Sequence, residues 1–96
     1  MPYIAQKDRP ELDRHIDALA DAIKAAAASY GYDGAFAGLL NYSCTRLALR
    51  IIPARRYWVI ALVTGTFKNV ADEFYRRFGV PYEDEQIAKN GDVYPG

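Results

Sequence analysis

Tyr57-Trp58-Val59-Ile60-Ala61-Leu62-Val63-Thr64 decides the fold, because it is apolar on every side and rich in residues that favour strands. Read alone, the stretch suits a buried strand as well as a helix. A strand needs a partner, however, and the sequence offers no second strand-like run beyond Tyr3-Ile4-Ala5. Downstream, Tyr57, Ile60, Val63/Thr64, Phe67, Val70/Ala71, Phe74 and Phe78 keep steps of three or four as far as Gly79. That is a helical period, so the spacing predicts one helix from Tyr57 to Gly79. Its opening turns have no polar face and call for cover all round, from the rest of the domain or from another chain.

Working back toward the N-terminus, Phe36, Leu39/Leu40, Ser43/Cys44, Leu47 and Ile51 keep helical spacing between Ala35 and Ile52. Pro53 closes that helix, since the residue before a proline is disfavoured in the α conformation. Gly38 weakens its first turn and moves the expected start toward Leu40. Before it, Asp8-Arg9-Pro10-Glu11 reads as a helix start: Asp8 as cap, Pro10 in the first turn, Glu11 at capping-box spacing. Leu12, Ile16, Leu19, Ile23 and Ala26/Ala27 then form one apolar stripe, with Asp13, Asp17, Asp21 and Lys24 on the other side. Gly31 ends this helix as a left-handed cap, and Asp33 in the turn Tyr32-Asp33-Gly34 is placed to cap the next. At the other end, Gly79-Val80-Pro81 reads as a stop, and Pro81 to Ala88 as a short helix with acids in its first turn. Asn90 to Gly96 reads as an irregular tail. The expected architecture is all-α: a three-helix bundle with a short fourth helix, in one domain over residues 1–96.

At 96 residues the chain is small. Such a domain buries only about two-thirds of the surface its unfolded state exposes, so a lone copy is marginal. Yet 51% of its residues are hydrophobic and 14% aromatic, which points to a homo-oligomer. Twelve basic residues balance twelve acidic ones, and no net field draws the protein onto a long nucleic acid. The distribution is uneven. Arg46, Arg50, Arg55, Arg56, Lys68, Arg76 and Arg77 face only Asp72 and Glu73 in the middle of the chain, while Glu83, Asp84, Glu85 and Asp92 face Lys89 in the tail. A basic centre with acidic ends suits a compact anionic ligand. Cys44 is the sole cysteine, so no internal disulfide forms. The opening residues lack the apolar run of a signal peptide, and no stretch is long enough to span a membrane. A cytoplasmic protein without membrane partners is the expectation.

Signals for catalysis are weak. His15, the one histidine, lies beside Glu11 and Asp13 and reads as a surface residue. Cys44, near Leu40 and Leu47, reads as a small hydrophobe, and no motif joins it to His15. Asp13, Asp17 and Asp21 with Asp72 and Glu73 would resemble a magnesium-holding acidic set, but the paired Glu-x-x-Glu spacing of helical nucleotide pyrophosphohydrolases is missing. A solvated acidic face accounts for them. Asp72–Arg76 and Glu73–Arg77 read as ion pairs one turn apart. No catalytic residue, metal or cofactor is expected, and the protein reads as a non-enzyme.

Binding signals are stronger. Tyr42, Arg46 and Arg50 recur every four residues and share one stripe, with Asn41 and Thr45 beside it. Arg55, Arg56, Tyr57 and Trp58 follow directly after Pro53. Guanidinium groups hold phosphates through paired N–H donors, and tyrosine or tryptophan offers a flat face to a base. The competing account makes Tyr42 and Trp58 core residues whose edges the arginine stems cover. Gly65, mid-helix between two threonines, fits a close approach of another helix.

Leu40-Asn41-Tyr42 with Thr45-Arg46, Arg56-Tyr57, Glu73-Phe74-Tyr75-Arg76-Arg77, and Pro81-Tyr82-Glu83-Asp84 through Ile87 to Asn90-Gly91-Asp92-Val93-Tyr94 resemble a family of small phage and prophage proteins of unknown function. The opening Met1-Pro2-Tyr3-Ile4 and Leu12-Asp13 fit as well, so the likeness covers nearly the whole chain. In layout, Arg56-Tyr57-Trp58 through Gly65 and Phe67 to Tyr75-Arg76-Arg77 is similar to phage sponge proteins that sequester cyclic-nucleotide immune signals. Those are small helical oligomers that bind ligands at their interfaces. The likeness implies a non-enzymatic phage accessory protein in the host cytoplasm, holding a nucleotide-type anion between subunits. The alternative is a helical adaptor or inhibitor that meets another protein, and a metal-dependent nucleotide hydrolase is more distant.

Overall fold

The computed structural model describes residues 2–96; Met1, part of the opening motif, lies outside them. A 3-10 turn, Gln6–Asp8, leads into α1 (Arg9–Tyr30), then α2 (Ala35–Ile51), α3 (Tyr57–Phe74), a π turn over Tyr75–Gly79 and α4 (Val80–Asn90). The protein is all-α, with no strand among the described residues. No helix among them is long and apolar enough to cross a membrane.

The helix ends follow local chemistry with two exceptions. Gly31 closes α1 in the left-handed region at φ 74°, where a side chain would be strained. Ile52 turns extended at φ −67°, ψ 135° ahead of Pro53, as the proline ring demands, and its N–H still reaches the Ala48 carbonyl at 3.1 Å. Asp8 and Asp33, however, do not cap. Asp8 is held in an α-like conformation by the 3-10 turn, its N–H donating to the Ala5 carbonyl at 2.9 Å. A cap needs an extended backbone to swing its oxygen over the first free N–H groups. Gly34, not Asp33, occupies the position before α2, which begins at Ala35 rather than near Leu40. Ala35 is 3% exposed, and its packing outweighs the roughly 1 kcal/mol that Gly38 costs the first turns.

The chain divides into two compact units, Tyr3–Val59 and Ile60–Gly96 with Pro2. In the first, α1 and α2 form a hairpin joined by the short turn at residues 31–34. Ala20, Ile23, Ala26 and Ala27 on α1 and Leu39, Ser43 and Ala48 on α2 are half-buried, and Ala35 is buried. Expectation and structure part here. Of the α2 stripe, Leu39, Ser43 and Cys44 are half-buried, while Phe36, Leu40, Leu47 and Ile51 stay exposed, because α2 turns a narrower side with smaller residues inward. Small side chains let two helices approach closely, which large ones would hold apart. Leu12, Ile16 and Leu19 on α1 are exposed as well.

The second unit is one winding rod with no buried residue. The expected stop at Gly79-Val80-Pro81 is absent: Gly79 is helical at φ −78°, ψ −47°, and the chain runs through the π turn into α4. The wide turn absorbs a residue just before Pro81, which sits in the first turn of α4. Gly79 is required by its neighbour, since an added Cβ would lie 2.9 Å from Cδ2 of Tyr75. Phe74 and Phe78 stack one turn apart with ring centroids at 5.1 Å, and Arg76 pairs with Glu73 at 2.8 Å across one turn. Gly79→Ala should therefore displace the Tyr75 ring and cost about 1–3 kcal/mol. At Gly65 an added Cβ meets nothing within 4 Å, so Gly65→Ala in a lone chain should gain up to about 1 kcal/mol of helix propensity. Urea midpoints of the two variants check both values.

At the start of α3 only Val59 is buried, at 4% exposure, while Tyr57 stands 87% exposed and Trp58, Ile60 and Leu62 are open as well. The cover that the sequence calls for does not come from within either unit.

Candidate functional site

The α2 surface carries a shallow depression lined by Ala37, Gly38, Asn41, Tyr42, Thr45 and Arg46. Residues one and four apart recur through this set, so all six share one side of the helix. Ala37 and Gly38 make the floor low, with room for a Cβ at Gly38, and Tyr42 and Arg46 form its raised wall. Sequence reading found four of the six. The floor residues were missed as site residues, although small side chains one turn before Asn41 and Tyr42 are the signal that would have marked a hollow.

Of the remaining candidates, Arg50 follows Arg46 by one turn, about 6 Å further along the axis. Arg55 and Arg56 lie in the link between α2 and α3, and Tyr57 and Trp58 open α3. These five stand outside the lining of the depression. All nine belong to the unit Tyr3–Val59 and all nine are exposed. Tyr42 and Trp58 are thus not buried within the unit.

The polar groups differ in what they can still do. Thr45 Oγ1 donates to the Asn41 carbonyl at 2.8 Å. Its one proton is committed to the helix backbone, so toward a ligand this hydroxyl can only accept. It is not a phosphate donor. The Asn41 amide keeps its donors, since only Oδ1 of that side chain approaches Thr45, at 3.5 Å. Arg46, Arg50, Arg55 and Arg56 take part in none of the ion pairs among the described residues, which join Glu11 to Arg14 and His15, and Glu73 to Arg76. All four guanidiniums, within eleven positions of the chain, keep their donors for other groups.

The other chemistry-bearing groups are dispersed. His15 lies 3.4 Å from Glu11 on the exposed side of α1, and Cys44 is half-buried in α2. Asp13, Asp17 and Asp21 are exposed along α1, and no group of three or more His, Cys, Asp or Glu able to hold a metal occurs among the described residues. A second depression, between α4 and the tail, is lined by Glu83, Asp92 and Tyr94 among others. The tail folds there because the Tyr94 N–H donates to Asp92 Oδ1 at 2.9 Å. Its carboxylates make it hostile to an anion.

No curated protein and no solved structure matches the chain. One family does, over residues 1–93, and it is described as a domain of unknown function, DUF6899. By that match, which takes in the α2 depression, the arginine-rich link and α4 alike, this chain is a member of the DUF6899 family.

Proposed function

We propose that this protein is a non-enzymatic phage accessory protein that binds a small nucleotide-type anion at a boundary between subunits. The observation that carries the reading is the run of unpaired Arg46, Arg50, Arg55 and Arg56 beside the exposed rings of Tyr42, Tyr57 and Trp58. Guanidiniums supply paired donors for phosphate oxygens, and the rings supply stacking faces. Asn41 adds a neutral donor, and Thr45 adds an acceptor suited to a base N–H or a ribose hydroxyl. The face is open on one copy. A drug-sized ligand ordinarily has most of its surface covered, so a second chain completes the enclosure. Such a protein acts in the host cytoplasm by holding a signal, without turnover, and its effect scales with its own concentration and affinity.

Thermal denaturation against a panel of linear and cyclic nucleotides tests the reading. A ligand present at a hundred times its Kd adds about 2.7 kcal/mol. Arg46→Ala should remove that gain while leaving the helical circular dichroism unchanged, because the Arg46 side chain is exposed. No response anywhere in the panel, or an undiminished response in Arg46→Ala, rules the site out.

One observation favours a second reading, that of a helical adaptor. Large apolar side chains are exposed on every helix, including Leu12 and Ile16 on α1 and Leu40 and Leu47 on α2, and such side chains, where they join into a patch, mark protein contacts. Co-purification of a host protein without any nucleotide response is the result that would select it.

A further inference from the structure

We infer that the α3 face formed by Ile60, Val63, Phe67, Val70 and Phe74 is the seat of a second copy of this chain. The inference rests on the subunit half of the proposed function and specifies the surface involved.

Ile60, Phe67 and Phe74 stand seven residues apart, with Val63 and Val70 between them at steps of three and four. This is the repeat by which two helices wind about each other with side chains interleaved. The same repeat on a helix in the interior of a domain would be covered. Here Phe67, Phe74 and Phe78 are 42%, 62% and 70% exposed, with Ile60 and Val70 also open.

Two features single out a second copy as the occupant. The first is area. At about 200 Å² per ring, the three phenylalanines leave roughly 350 Å² uncovered. With Ile60 and Val70 added, and with Phe78 carrying the face one turn past Phe74, two facing copies would cover about 1,000 Å², the least that a specific interface clears. The second is self-complementarity. None of the five face residues is charged; Lys68 and Asp72 project from the other side of the helix, and Glu73, at the flank of the face, is paired with Arg76 at 2.8 Å. An identical helix therefore presents the same period and brings no unpaired charge into the seam. Phe67 lies midway between Ile60 and Phe74, so a parallel and an antiparallel pairing both set Phe67 against its own counterpart.

The test replaces Cys44 by Ala to leave no native thiol, then introduces Phe67→Cys or Asn69→Cys into the full chain. Position 69 is turned about 200° away from position 67. Treated with a short bis-maleimide without nucleotide, the Phe67→Cys chain should cross-link to a covalent dimer at least tenfold faster than the Asn69→Cys chain. Equal rates at the two positions overturn the inference. Because Phe67→Cys also removes apolar surface, sedimentation of the unaltered protein provides an independent arm. There, a dimer or larger assembly is expected, and a single helical chain at every concentration overturns the inference, leaving the face to a different partner. Since no nucleotide enters either arm, a dimer that ignores the nucleotide panel would sink the ligand reading alone.

Discussion

Val59→Asp should leave the chain largely unfolded at 25 °C, with most of its helical circular dichroism lost. Val59 is one of two buried residues among those described, at 4% exposure. No charged or polar residue is buried among the described ones, so a carboxylate placed there has no buried cation to meet it. Leaving a buried charge uncompensated costs about 3–5 kcal/mol. Ordinary domains hold only about 5–15 kcal/mol in total, and a chain with two buried residues sits at or below the lower end. The helices would lose their support, because helical stability in a protein comes mostly from tertiary packing. Ala61→Asp is the control. It lies two residues on and is exposed, so it should cost no more than the helix-propensity difference, about 0.7 kcal/mol. If urea titration finds the two variants equally stable, the start of α3 is not anchored on the Tyr3–Val59 unit.

The all-α class was legible because one argument sufficed. The Tyr57–Thr64 stretch had strand-like residues but nothing to pair with, and its apolar period ran on past the length of any ordinary strand. Periodicity identified each helix correctly. On α2 it left Leu39/Leu40 and Ser43/Cys44 open and included Phe36, Leu47 and Ile51, which stay exposed. The hairpin packs through Ala35, Leu39, Ser43 and Cys44, since close approach depends on size as much as on polarity. The continuous passage from α3 to α4 was hidden for a related reason. Gly79 and Pro81 are both helix breakers by propensity, yet each meets a local need: Gly79 makes room for the Tyr75 ring, and Pro81 falls in a first turn.

The candidate site was partly legible. Spacing by four placed Tyr42 and Arg46 on one stripe, and the structure sets them together with Asn41 and Thr45 around one depression. Spacing could not show that the Thr45 proton is already taken by the Asn41 carbonyl. Nor could it show that Arg55, Arg56, Tyr57 and Trp58 stand outside that lining, since the link between helices has no period to read.

Diluting the protein a hundredfold should lower its melting temperature by about 5–10 °C. If folding and association are one event, the concentration term contributes RT ln 100 per dimer, about 2.7 kcal/mol. For an assembly of roughly 200 residues, 1 kcal/mol corresponds to about 2–4 °C. The physical ground is the exposure on a single copy of the Phe67, Phe74 and Phe78 rings, each worth about 1.5–3 kcal/mol when fully covered. The rings are 42–70% exposed, so roughly half of that gain per side chain is still open to a partner, enough across three rings to make the partner part of the folded state. Calorimetry at two concentrations reads the shift directly. A melting temperature independent of concentration would mean that each chain reaches its stable form alone, with its apolar residues covered from within.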